Sequence, residues 1–86
     1  MFEAPSYESL LEVFSSEVLN LCSINERFEN EDTEIQMTRL NYAYIFQTLT
    51  IKRDDVGRSE AGRNFSIAIT ELENSCIRAV KGFYSK

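Results

Sequence analysis

The feature that most constrains this chain is how seldom it can turn. Its 86 residues include one proline and three glycines. Residues that punctuate secondary structure are therefore scarce, and a few long helices are the simplest arrangement that remains. Apolar residues make up 43% and charged residues 27%, a balance that suits a folded globular chain and not a disordered one. A domain this short buries only about 60% of the surface its unfolded form exposes, so its own core is marginal. We therefore expect one small domain, over residues 1–86, that leans on a partner.

Pro5-Ser6 opens the first helical segment, expected over 6–24. Tyr7, Leu10, Leu11, Phe14, Val18, Leu21 and Cys22 recur at three- and four-residue steps, the period of one helix face. Polar residues then gather between Asn20 and Asn30. Thr33-x-x-Gln36 spells a capping box and begins a second helix, expected over 33–52. This helix carries two apolar faces. One reads Met37, Leu40, Tyr44, Ile51 and the other Tyr42, Ile45, Phe46, Leu49. A helix apolar on two faces must be covered from two sides, which a three-helix monomer of this size can hardly do, so self-association is expected. Lys52 to Arg58 reads as a polar, basic linker around Gly57, and Ser59 offers the cap of a third helix over 59–84. Along that helix Ala61, Phe65, Ala68, Leu72, Cys76, Ala79 and Phe83 form a nearly coiled-coil seam, with Ile69, Ile77, Val80 and Tyr84 as a second stripe. The expected fold class is all-α: three helices, the last two an antiparallel hairpin, assembled as a compact homo-oligomer.

The chemical inventory is thin. There is no histidine and no tryptophan, and the two cysteines, Cys22 and Cys76, are too far apart for a zinc-ligand pair. Both lie on apolar stripes and read as reduced core thiols. Nothing supports a nucleophilic triad, a metal site or a cofactor, and Asp54-Asp55 alone supplies too few oxygen ligands for a metal cage. The expectation is a protein that binds and does not catalyse. No apolar run reaches the length of a membrane span, and no signal-peptide pattern opens the chain.

The net charge of −5 hides an asymmetry. Residues 1–34 hold nine acids and one base, for −8, and residues 35–86 hold eight bases and five acids, for +3. Duplex nucleic-acid binding calls for a basic excess that is missing here. The acidic segment either solvates a helix face and pairs with the basic one in an oligomer, or serves as the surface of an acidic helical adaptor that inhibits a host protein.

The third helix contains Gly62-Arg63-x-x-Ser66-x-Ala68-x-Thr70-x-Leu72-Glu73. This run resembles the signature of the phage anti-CBASS cyclic-nucleotide sponges, which read roughly Ser-Arg-x-x-Ser-x-Ala-x-Thr-x-Leu-Glu. Phe28, followed eleven residues later by Arg39-Leu40, looks like the aromatic entry and basic residue of the same family, so the resemblance spans about residues 28–80. The family's tyrosine–histidine–proline element after the aromatic is replaced by Glu29-Asn30-Glu31-Asp32. The resemblance implies a helical oligomer, usually a hexamer, in the cytoplasm of the infected bacterial host. It implies sequestration, without cleavage, of cyclic dinucleotides such as 3′,3′-cyclic GMP–AMP, and of cyclic trinucleotides at a second site.

Such ligands need cations or N–H donors for phosphate and flat surfaces for bases. Arg39 stands one turn before Tyr42, so a guanidinium and a ring can flank one ligand, with Phe28 stacking on a base. Arg63 and Thr70 are seven residues apart and share a helix face, with Ser66 between them. The resemblance implies that these three contact the second, larger-ring site.

Overall fold

A computed structural model describes residues 3–85. Among them are four α-helices and a short 3-10 turn: α1 (Tyr7–Val13), α2 (Ser16–Leu21), the 3-10 turn Phe28–Asn30, α3 (Thr33–Val56) and α4 (Glu60–Tyr84). The class is all-α, as expected. The helix count is four, not three, because the expected first helix is broken at Phe14-Ser15.

That break has a local cause. Ser6 caps α1, its Oγ accepting from the Ser9 N–H at 3.2 Å. Ser15 caps α2 in the same way, its Oγ accepting from the Val18 N–H at 3.2 Å. Between them Phe14 is extended, with ψ 146°. The apolar rhythm runs unbroken through the kink because both short helices face one core. Leu10, Phe14, Val18, Leu19 and Cys22 are all buried. α2 then stops in a Schellman turn. The Ile24 N–H donates to the Leu19 carbonyl at 2.8 Å and the Ser23 N–H to the Asn20 carbonyl at 3.2 Å. Ser23 takes φ 55°, in the left-handed region, while Leu19 and Ile24 close the turn from beneath as buried neighbours.

The capping box at Thr33 does not form. Asp32 occupies the cap position of α3 without a side-chain bond, and Gln36 is drawn elsewhere: its buried amide donates to the Phe28 carbonyl at 2.8 Å. This bond fastens the 3-10 turn to α3. The far end also differs from expectation. The polar stretch 52–56 is helical, and the true turn is only Gly57-Arg58-Ser59. Gly57 takes φ 61°, and its N–H closes on the Arg53 carbonyl. Ser59 caps α4 as expected, accepting from the Gly62 N–H at 3.1 Å.

The two long helices fold back on each other, and the N-terminal unit lies against them. One core cluster joins Leu10, Phe14, Val18, Leu19, Cys22, Ile24 and Phe28 to Leu40, Ala43 and Phe46 of α3 and to Ile69 and Cys76 of α4. The charge asymmetry of the sequence is partly resolved within the chain. Arg53 grips Glu17 through both guanidinium nitrogens, at 2.8 and 2.9 Å. Arg53 is thus a tie between α2 and α3, and not part of a solvated linker. Among the described residues, no helix is long and apolar enough to cross a membrane.

Candidate functional site

A cleft of about 640 Å³ opens between the segment after α2, the start of α3 and the end of α4; Ser23, Asn25, Arg27, Asn30, Glu31, Arg39 and Tyr84 are among its lining residues. Its organising group is Arg39. The guanidinium meets Glu31 in fork geometry, Nε to Oε1 at 2.8 Å and Nη2 to Oε2 at 2.9 Å, and Nη1 donates to the Cys22 carbonyl at 3.0 Å. Tyr84 adds its hydroxyl, donating to Glu31 Oε2 at 3.0 Å. One carboxylate thereby joins three segments of the chain.

The electrostatics follow from these contacts. Partial burial works against the Arg39 charge, but the hydrogen bonds and attraction of Glu31 more than offset it, and its pKa lies above the ordinary value. The Tyr84 hydroxyl is raised, chiefly because it donates to Glu31. Beneath the cleft, burial pushes the Cys22 thiol up to about 12 and raises that of Cys76. Both cysteines are free and buried, as core thiols should be.

The six residues singled out from the sequence fall into four places. Phe28 is 1% exposed and belongs to the core, so it has no free face for a base; its ring is consumed by packing against the N-terminal unit. Arg39 lines the cleft, but Glu31 and the Cys22 carbonyl take three of its five N–H donors. Tyr42 sits between the long helices, its hydroxyl 2.6 Å from Ser75 Oγ and its ring 6.4 Å from that of Phe46. Arg63, Ser66 and Thr70 form the fourth group, together on the exposed face of α4. The Tyr42–Ser75 contact fixes the register of the hairpin. Arg63 is twelve residues from Ser75, or about 18 Å along the axis at 1.5 Å per residue. One chain therefore keeps Arg63 well away from the Arg39 region.

The Arg63 group is the part that remains chemically open. The Arg63 guanidinium makes no hydrogen bond or ion pair among the described residues. Thr70 donates its hydroxyl to the Ser66 carbonyl at 3.2 Å, a common internal bond for a helical threonine. Its oxygen still has lone pairs to offer. A cation and a hydroxyl oxygen two turns apart present a charge and a polar edge to one flat, anionic ligand.

Sequence reasoning missed Glu31 and Tyr84 as partners of Arg39. Glu31 read as one acid among many, and Tyr84 as a stripe residue. Their meeting depends on where α3 begins and on the length of the hairpin, neither of which leaves a local signature. Compared with known protein families, with curated proteins and with solved structures, the chain matches none.

Proposed function

We propose that this protein binds cyclic oligonucleotide second messengers without cleaving them and so withdraws them from CBASS anti-phage immunity in the bacterial host. The observation that carries this reading is the outer face of α4. There the residues of the sponge-like run that bear chemistry, Arg63, Ser66 and Thr70, are exposed and aligned, and the Arg63 guanidinium has no partner among the described residues. The run's apolar members point the other way, with Ala68 and Leu72 half-buried. The motif thus divides into a structural side and a side free for a ligand. On this reading the ligands are cyclic dinucleotides and cyclic trinucleotides, and the working form is a homo-oligomer, taken as a hexamer from the resemblance. A second copy would supply the surfaces that one chain keeps too far from Arg63.

Calorimetric titration with 3′,3′-cyclic GMP–AMP and with a cyclic trinucleotide tests the proposal. We expect submicromolar binding by one or both, with intact ligand recovered after heat denaturation of the protein. Arg63→Ala should weaken binding by about 10- to 100-fold, the loss of a charge-assisted hydrogen bond. Its stability should stay within about 0.5 kcal/mol of the parent, as for other exposed positions. No heat from either ligand overturns the proposal. Attention would then pass to the exposed acids Glu8, Glu12 and Glu26 as the surface of an acidic adaptor.

A further inference from the structure

We infer that the cleft at Arg39 is a binding site for the phosphate group of a small phosphate monoester, and that Glu31 keeps it closed by holding the donors such a group needs. Three donors converge on the one carboxylate. Arg39 gives its Nε–H to Oε1 at 2.8 Å and an Nη2–H to Oε2 at 2.9 Å, and the Tyr84 hydroxyl gives to the same Oε2 at 3.0 Å. The donors stand on α3 and on the far end of α4, whereas Glu31 belongs to the connecting segment before α3. A guanidinium fork fits the oxygens of a phosphate as well as those of a carboxylate. Two helices thus present an anion site whose occupant is a side chain of the protein itself.

A ligand that enters must replace a carboxylate of one negative charge. A phosphodiester brings one charge and two terminal oxygens, so the exchange gains nothing. A monoester brings nearly two charges at neutral pH and three terminal oxygens, one for each of the three donors. Arg27 supplies the second cation. It is exposed, it lines the same cleft, and its guanidinium makes no hydrogen bond or ion pair among the described residues. Besides Glu31, the acid in the lining is Asp32. Asp32 is exposed at the start of α3, where water and salt screen its repulsion.

The surroundings allow the exchange. Glu31 sits in extended backbone, φ −82° and ψ 158°, between the 3-10 turn and α3, so its side chain can turn outward without breaking a helix. Arg39 stays in place, because its Nη1 is also held by the Cys22 carbonyl at 3.0 Å. The cleft of about 640 Å³ falls in the size range of small-molecule sites. Tyr84 is 63% exposed, which leaves a ring face for the stacking of a base. A nucleoside monophosphate has the group for the donors and the flat surface for that ring.

The cleft lies apart from Arg63, and its test uses no cyclic oligonucleotide, so it stands or falls separately from the proposed function. The probes are 5′-AMP, 3′,5′-cyclic AMP and inorganic phosphate, titrated into the full chain by calorimetry and by NMR of the arginine Nε–H groups. 5′-AMP should shift the Arg39 signal and bind about 10-fold or more tightly than the cyclic diester. Glu31→Gln keeps the side-chain shape and removes its charge, and should tighten 5′-AMP by about 10-fold. Arg27→Ala removes an exposed cation and should weaken 5′-AMP by about 10-fold, with an unchanged helical circular dichroism spectrum. Inorganic phosphate bound as tightly as 5′-AMP supports the site with the phosphate group as its whole ligand. If Glu31→Gln does not fold, the wild-type chain and Arg27→Ala decide. No shift at Arg39 with 5′-AMP up to about 10 mM overturns the inference, as does equal binding of the cyclic diester. So does a folded Glu31→Gln that binds no more tightly, which would leave the Glu31–Arg39 pair as a structural tie alone.

Discussion

α3 and α4 are nearly equal in length, 24 and 25 residues, yet they do different work. α4 is an ordinary amphipathic helix: its inner side carries Ile69, Cys76 and Val80 into burial, and its outer side is largely polar. α3 has its apolar residues on two faces, the buried Leu40, Ala43 and Phe46 and the exposed Met37, Tyr44 and Ile51, with polar residues between them. It is also the helix to which the N-terminal unit is fastened, through Glu17–Arg53, Glu31–Arg39 and the bond from Gln47 Nε2 to the Val13 carbonyl at 2.9 Å. α4 is tied to the same segment through Tyr84 and Glu31. The contrast teaches a division of labour. α3 is the central strut, loaded on both sides, whereas α4 is a lid over one side of it with its own outer surface left free for polar recognition.

Substitutions on the inner faces test whether that contrast reaches the core. Phe46→Ala in α3 removes a fully buried ring and should cost about 3–5 kcal/mol by denaturant unfolding. Ile69→Ala in α4 should fall at or below the lower end of that range, because Ile69 is smaller and retains some exposure. Equal losses would mean that the two helices share the core evenly.

A smaller effect is expected where the helices join. A Cβ on Gly62 would run into the Gly57 carbonyl oxygen, so Gly62→Ala must push the turn open. A cost of about 1–3 kcal/mol in thermal or denaturant unfolding is expected for such overpacking. A neutral result would show that α4 can shift against α3 freely.

The smallest effect concerns a tie that only α3 makes. Hydrogen bonds from Arg53 hold the Glu17 carboxyl below its ordinary pKa. A depressed carboxylate adds stability that is fully present above its unfolded pKa, about 4.3. That contribution is lost as the pH falls through the lower folded value. Glu17 is half exposed, so solvent screening limits the contribution to about 0.5 kcal/mol or less. Glu17→Gln should therefore lower stability slightly at neutral pH and converge with the parent in acid. A constant difference down to acid pH would exclude the charge as its source.

The hairpin was the most legible part of the sequence because its signals are local. Ser59 caps where a serine before a helical rhythm should, and Gly57 supplies the positive φ of a tight turn. The kink at Phe14-Ser15 was hidden by the continuity of the apolar period, since two short helices facing one core produce the same rhythm as one long helix. Ser15-Ser16-Glu17 did contain a second start signal, a capping hydroxyl followed by an acid. Thr33 and Gln36 failed in the opposite way: their spacing was right, but tertiary demand took Gln36 to the Phe28 carbonyl.

At the candidate site, the chemistry of Arg39 was visible in the sequence and its partner was not. The acidic N-terminal segment and the basic segment after it do pair. Arg53 reaches Glu17 in the second short helix, and Arg39 turns to Glu31 in the connecting segment. Phe28 shows the limit most plainly, because an aromatic residue that stacks on a base and one that fills a core read alike. Which it does depends on the distant residues that enclose it.

The two buried thiols have a consequence of another kind. Cys22 ends α2 and Cys76 lies in the middle of α4, so the chain contains one silent probe in its N-terminal unit and one in its hairpin. A thiol closed off from solvent and held as S–H reacts with an alkylating reagent only while its surroundings are open. The order in which the two are labelled would therefore time the detachment of the N-terminal unit against the separation of the long helices. The natural sequence can report its own opening without any added dye or tag.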